Sequence, residues 1–290
     1  SIYRKLKQRP NSDRYNSLSA ALEWKAFRKS LFHKTKVIHF WFADHDYYYA
    51  QYFAPILGAK LVGNFFFSIE EFERRMPNKK HLEKLDLITA SGKQQLEYLS
   101  HYYPRERIIF LPLGIDTDFY KPPSPNKCIR KKKPILLHVG TNRRDFKTLK
   151  KIFSLVKIQI PDAQLQLVSG DGAKELFNDI ENVIFYPFVS DAELLEIYQN
   201  SSVLILPLLE GGSSQTLNEA MATGLPVITN WLPNLEDYIS DKATILCAKG
   251  DAESMAQECC NLLKDSNYWD DLSIKSIHHS KQFDFKNIKN

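Results

Sequence analysis

Nowhere does the sequence carry a run of about eighteen apolar residues, the minimum for a membrane-spanning helix, so no part of it reads as a transmembrane segment. The opening, Ser1-Ile-Tyr-Arg-Lys5, lacks the apolar core of a secretory signal, and it lacks an initiator Met, as a fragment or a processed form would. Cysteine is scarce. Cys128, Cys247, Cys259 and Cys260 have neither zinc nor redox spacing. They read as reduced residues of a cytosolic protein, and no metal is expected. A complete dinucleotide fingerprint is missing too: Gly170-Asp-Gly172 has no third glycine, which argues against a nicotinamide-dependent oxidoreductase. No recognition motif accompanies the basic residues, so nucleic acid is not an expected partner.

What is present suits a globular protein of two domains: 290 residues, 43% hydrophobic and 25% charged. The formal net charge is +5, with basic residues concentrated at Tyr3 to Lys36 and Lys121 to Lys133. Basic runs are ordinarily solvated surface. Their sharper reading is attraction to a lipid diphosphate acceptor or peripheral contact with an anionic inner membrane surface, worth about 1 kcal/mol per residue near the bilayer. Residues Ser1 to Lys36 read as helical, with Leu18, Leu22, Phe27 and Leu31 as candidate buried positions.

The most informative stretch is Glu210-Gly-Gly-Ser-Ser-Gln-Thr-Leu-Asn-Glu219, followed by Ala-Met-Ala-Thr-Gly-Leu-Pro-Val-Ile228. The apolar run Val203–Leu209 before it reads as a buried parallel strand. Gly211 and Gly212 permit a sharp turn with close backbone approach to a ligand. A helix should start near Ser213 to Thr216, run through Glu219 and stop at Gly224, with Pro226 behind it. Strand, glycine turn and helix start present free N–H groups to an anion, and Glu210 and Glu219 flank them. A phosphate-bearing ligand with hydroxyls on both sides fits such a site. Thr216-Leu-Asn-Glu219 is also a capping box, in which Glu219 folds back on the helix start. Glu210 also reads as a solvated loop carboxylate.

In chain order, Lys36–Phe42 is the first strand, and Ala43-Asp-His-Asp46 follows at its tip. Ala59–Phe67 and Leu85–Ala90 are further strands, and Ser91 is the expected cap of a helix from Gly92 to His101. His39 lies inside an apolar strand and reads as a satisfied core residue. Three adjacent phenylalanines, Phe65 to Phe67, read as core, or as the wall of an acceptor groove. Lys121 to Pro134, with four prolines and six basic residues, reads as a linker. Beyond it, strands at Ile135–Val139, Gln164–Ser169, Val183–Phe185, Val203–Leu206, Val227–Thr229 and Thr244–Cys247 alternate with helical patterns, the mark of a doubly wound parallel sheet. Ser190-Asp-Ala-Glu193 is an ordinary capping box.

On these residues the sequence resembles the retaining family 4 glycosyltransferases of GT-B fold, whose signature runs Glu-Gly-Phe-Gly, then Glu-Ala, then Gly-Leu-Pro-Val. The resemblance implies that Glu219 holds the ribose hydroxyls of a sugar nucleotide and that Glu210 faces the donor sugar. It assigns the diphosphate to the turn amides from Gly212 to Gln215, within a nucleotide-sugar-binding stretch of Gly211, Gly212, Ser213, Ser214, Gln215 and Thr216. Two departures stand out: eight residues separate the glutamates instead of seven, and Gly-Ser-Ser replaces Phe-Gly. Pro112-Leu-Gly-Ile-Asp-Thr-Asp-Phe-Tyr-Lys-Pro122 resembles the family's Asn-Gly-Ile-Asp…Phe…Pro passage. In the loop Gly140-Thr-Asn-Arg-Arg-Asp-Phe-Lys147, the resemblance implies an arginine and a lysine against the leaving diphosphate. Arg143, Arg144 and Lys147 are the candidates; the register leaves the arginine open, and mere solubility is the competing reading. Pro187-Phe-Val189 falls where relatives bind the nucleobase, which makes Phe188 a candidate. The family's His-x-His has His39 in its first place but Trp41 in its second; His45 is the substitute, or a plain surface histidine. Trp231 reads as a sugar or acceptor contact or as a packed tryptophan.

The expectation is therefore α/β: a GT-B protein with two Rossmann-like doubly wound domains facing a cleft. The first, residues 1–122, counts about three strands where five or six are usual, and so looks shortened, without its opening strand. Residues 123–134 are the linker, 135–267 the nucleotide-sugar domain, and 268–290 resemble closing helices that cross back to the first domain. The implied activity is cytoplasmic, retaining, metal-independent transfer from a UDP- or GDP-sugar, a substrate and not a cofactor, to a glycan or lipid-linked acceptor. A degenerate, non-catalytic binding protein is the alternative.

Overall fold

The computed structural model describes residues 14–76, 79–124, 134–211 and 214–288. It divides into two compact units, Ser1–Pro112 and Leu113–Asn290.

In the first unit, β1 (Val37–Phe40), β2 (Lys60–Phe65), β3 (Leu87–Ala90) and β4 (Ile108–Phe110) form a parallel four-stranded sheet in the order β1-β2-β3-β4. The fourth strand lies in Arg107–Leu111, a stretch too short to read as a strand from sequence. Helices α1 (Ser17–Phe32), α2 (Ile69–Arg75) and α3 (Lys93–Ser100) accompany them. Phe65, Phe67, Phe72 and Met76 fill the core, whereas Phe66 is half-exposed.

Three expectations fail here. In α1, Leu18, Leu22 and Leu31 are exposed and Glu23 is buried. The Glu23 carboxylate accepts the N–H groups of Tyr48 (2.9 Å), Tyr49 (2.9 Å) and Ala50 (2.8 Å), and these bonds choose the inward face of the helix. His39 is exposed rather than core, because β1 is an edge strand whose residues alternate; its Nε2 meets Asn64 Oδ1 at 2.9 Å. Ser91 is not the cap of α3. Gly92 is, and Gln95 Oε1 accepts from the Gly92 N–H (2.9 Å) and the Ser91 hydroxyl (3.0 Å).

The second unit has β5 (Ile135–Val139), β6 (Gln164–Val168), β7 (Val183–Tyr186), β8 (Val203–Leu206), β9 (Val227–Asn230) and β10 (Ile245–Cys247). They form one parallel sheet in the order β10-β9-β8-β5-β6-β7. Helices α4 (Phe146–Gln159), α5 (Asp191–Asn200), α6 (Gln215–Ala222), α7 (Ala252–Lys264) and α8 (Ser266–Ser280) connect and close it. β5, β8 and β9 are buried at every position, as strands covered on both faces must be, which is why they read as largely apolar runs, β8 wholly so. α6 ends as expected: Gly224, at φ +69, takes the left-handed turn after it.

The passage from Leu113 onward belongs to this second unit, ten residues before the boundary set from sequence. The reason is a set of bonds. Leu113 N–H donates to the Tyr238 hydroxyl (2.9 Å), Asn218 to Leu113 O (2.8 Å) and Gln215 to Gly114 O (3.1 Å). Ile115 N–H donates to Phe283 O (2.8 Å), and Phe285 N–H to Ile115 O (3.1 Å). The closing helix α8 packs within the same unit, with the Ser273 hydroxyl on Gly224 O (2.6 Å) and the Trp269 indole on Ser202 O (2.6 Å). Most of the Lys121–Pro134 linker falls outside the described residues.

Candidate nucleotide-binding site

The strand order of the second sheet reverses between β5 and β8, which are neighbours. Open parallel sheets bind ligands outside the carboxyl ends of their strands at such a reversal. Here the loops leaving the two strands are sewn together. Asp145 N–H donates to Pro207 O (2.9 Å), Leu209 N–H to Arg143 O (2.9 Å), and Arg144 pairs with Leu208 in an antiparallel bridge.

That pairing fixes Arg144. Its guanidinium donates from Nε to Val139 O (3.0 Å) and from Nη2 to Thr216 Oγ1 (3.3 Å) in the first turn of α6. Gly140 makes the space: it sits at φ +103, and a Cβ there would lie 2.7 Å from Arg144 Nη2. Burial lowers the Arg144 pKa to about 10, and the nearby Arg143 charge acts in the same direction. Among the described residues, both hydrogen-bond partners of the guanidinium are uncharged oxygens. It is a half-buried cation that would gain from an anion.

At the start of α6 the N-cap Ser214 makes no side-chain cap bond, and its buried hydroxyl finds no partner among the described residues. One turn on is Glu219, only 9% exposed. The Tyr198 hydroxyl, from α5, donates to Glu219 Oε2 (2.9 Å), and the Tyr120 hydroxyl also engages it. Burial raises the Glu219 pKa, against the opposite pull of the two phenols. The capping-box reading of Thr216 and Glu219 does not describe this geometry. Ser190 and Glu193 do form the box, with reciprocal bonds of 3.3 Å and 2.7 Å.

Behind the site lies His138, fully buried in β5. Its Nδ1 meets Ile205 O at 2.9 Å; a carbonyl only accepts, so Nδ1 carries the proton, and the buried Nε2 has no partner among the described residues. Burial, with the Arg144 charge adding to it, lowers its pKa to about 3.

Residues 133–265 match the family model described as Glycosyl transferases group 1. The chain is 23% identical over 241 residues to the O-antigen chain mannosyltransferase B of Escherichia coli, covering 74% of this chain and 61% of that protein. It thus spans less than two thirds of that relative's length. Among solved structures, HepE of Anabaena in complex with UDP and glucose superposes with a TM-score of 0.72 at 15% identity, covering 96% of this chain and 82% of the other. The sucrose-phosphate synthase of Thermosynechococcus elongatus gives 0.71 at 20% identity, covering 91% and 73%. The fold is GT-B.

In the second unit of this GT-B chain, Arg143, Arg144, Gln215, Thr216 and Glu219 gather around the β5–β8 reversal. Arg143 forms the left-handed corner, at φ 60, that precedes Arg144. Lys147 is exposed in the first turn of α4, whose cap is Asp145. Glu210 is half-buried and Gly211 buried, while Gly212 and Ser213 lie outside the described residues. Phe188 is 88% exposed beside the Ser190 cap. Trp231 is exposed just after β9. His45 belongs to the first unit, where its ring stacks on Phe42 at 5.8 Å and 7°. Tyr198, Tyr120, His138 and the burial of the Ser214 hydroxyl have no signature in the sequence. Among the described residues, no three His, Cys, Asp or Glu side chains group in a way that could hold a metal ion.

Proposed function

We propose that the chain is a hexosyltransferase whose second unit binds a UDP- or GDP-sugar and whose reaction passes the sugar to a glycan or lipid-linked acceptor at the cytoplasmic face. The observation that carries the reading is Arg144, bonded to Thr216 in the first turn of the helix that also presents Glu219. A diphosphate at that turn meets the free N–H groups of the helix start and the guanidinium charge, with Arg143 and Lys147 in the same loop. Glu219 then accepts from the ribose hydroxyls, and Glu210 lies toward the sugar. Positive charge held in place before the reaction stabilises the departing diphosphate without proton transfer. Retention and metal independence enter this reading from the resemblance of the Glu210–Glu219 stretch. A mannosyltransferase among the similar proteins, and a similar structure solved with UDP and glucose, support the donor class.

The test is a thermal-shift panel of nucleoside diphosphates, the matching nucleosides and nucleotide sugars. A ligand at about a hundred times its Kd stabilises by about 2.7 kcal/mol, which should raise the melting temperature by roughly 5–10 °C. The expected result is one preferred nucleoside diphosphate, its nucleoside much weaker, and release of that diphosphate from its sugar nucleotide as water or an added glycan acceptor takes the sugar. If no nucleotide shifts the melting temperature, the reading fails. Binding without release from any donor would make the chain a non-catalytic nucleotide-sugar-binding protein.

A further inference from the structure

A helix on a globular protein ordinarily turns its apolar stripe inward, and α1 does the reverse. Its buried residues are Ser19, Glu23 and Ser30. Leu18, Leu22, Trp24, Leu31 and Phe32 point outward, Leu18 66% exposed and Phe32 80%. Lys25, Arg28 and Lys29 are exposed on the same helix, and Lys34 and Lys36 continue the surface. The spacing mixes the two kinds: Leu18, Leu22, Lys25, Lys29 and Phe32 form one helical stripe, with Trp24, Arg28 and Leu31 beside it.

The sign of the charge is as telling as the exposed apolar area. Between Ser17 and Lys36 the sequence holds a single acid, Glu23. That carboxylate is withdrawn from the surface by three backbone N–H groups and the Tyr15 hydroxyl. What remains outside is large apolar side chains, one of them tryptophan, among cations alone. This is the make-up of a helix that lies in the interfacial plane of a bilayer. It does not span one, since among the described residues no helix is long and apolar enough to cross a membrane.

We propose that the outer face of α1 docks the protein peripherally on an anionic lipid surface, with Trp24, Leu31 and Phe32 at headgroup depth and Lys25, Arg28 and Lys29 on the lipid phosphates. Charge decides against a second copy as the occupant, because a two-fold contact through this face would bring like cations together. The docking surface stands on α1 alone and is independent of the glycosyl-transfer reading, as its test needs no nucleotide.

The test is co-sedimentation of the full chain with phosphatidylcholine vesicles, with and without phosphatidylglycerol. Binding should require the anionic lipid and weaken as salt is raised. The triple variant Lys25→Gln, Arg28→Gln, Lys29→Gln should partition roughly a hundredfold more weakly, at about tenfold for each 1.4 kcal/mol and about 1 kcal/mol per cation. Trp24→Ser with Phe32→Ser should also weaken binding but keep its salt dependence. All five positions are exposed, so circular dichroism should be unchanged. Three results would overturn the proposal: no vesicle binding, equal binding to both vesicle types, or an unaffected triple variant. Concentration-dependent dimerisation abolished by Phe32→Ser, without lipid binding, would assign the face to a second copy instead.

Discussion

Glu219 offers the sharpest perturbation, because its two readings predict opposite outcomes. Glu219→Gln keeps shape and length and removes the charge. If the carboxylate accepts from ribose hydroxyls, the variant loses the charge assistance of those bonds, each worth about 1.5–3 kcal/mol. Affinity for the preferred nucleoside diphosphate should fall by roughly tenfold or more. The free protein should hardly notice. The glutamine oxygen can still accept from Tyr198, which sits 2.9 Å from Oε2 in the native site. Burial raises the Glu219 pKa, so ionising this group opposes folding as pH rises through the unfolded and then the folded value. A neutral amide removes that penalty and leaves stability equal or slightly higher at neutral pH. A helix cap would behave otherwise: its loss costs about 1 kcal/mol of stability and spares affinity. Isothermal titration with the nucleotide, paired with urea unfolding, reads both quantities. Unchanged affinity in Glu219→Gln would refute the ribose assignment. Tyr198→Phe is the companion variant; it keeps the ring and removes one of the two phenols on the carboxylate, and should weaken nucleotide binding less than Glu219→Gln does.

Three further outcomes are expected. Arg144→Met with Lys147→Gln should weaken nucleoside diphosphate binding by on the order of ten- to a hundredfold and leave nucleoside binding nearly intact; equal loss of both, measured by titration, would move the diphosphate away from this loop. Glu210→Gln should spare nucleoside diphosphate binding while lowering sugar transfer, and an unimpaired variant in a product-release assay would remove Glu210 from the site. His138, with its pKa lowered to about 3, gives an acid limb of known sign: the unfolded state takes up the proton first, so stability falls as pH drops from about 6.5 toward 3. Urea midpoints across that range should show the slope, and His138→Gln should flatten it.

Where each strand is buried on both faces, the sequence was easy to read. β5 and β8 appear in it with the bounds they have in the structure, since apolar runs between turn signals, broken in β5 only by His138, leave little choice. The first unit resisted for the same reason inverted. In α1 the side chains that look like core lie outside, because four hydrogen bonds to one buried carboxylate outrank apolar patterning in deciding which face turns inward. β4 is three residues long and has no pattern to show. Its existence follows from pairing with β3.

The candidate site divides along a similar line. Turn and helix residues of Gly211 to Glu219 are contiguous, so their order alone suggests an anion site. The partners that give the site its electrostatics are distant in sequence: Arg144 reaches Thr216 across 72 positions and Tyr198 reaches Glu219 across 21. Neither pairing has a local signature. Backbone geometry gives the two adjacent arginines of that loop different surroundings. Arg143, at φ 60, supplies the corner and its carbonyl accepts from Leu209, so the next residue, across from Leu208, is carried toward α6. The guanidinium fills the space that a Cβ on Gly140 would take. The position of Arg144 thus depends on a glycine four residues before it, a left-handed arginine beside it and a strand from elsewhere in the sheet. A hydrogen-bonded carbonyl and hydroxyl hold it without neutralising it.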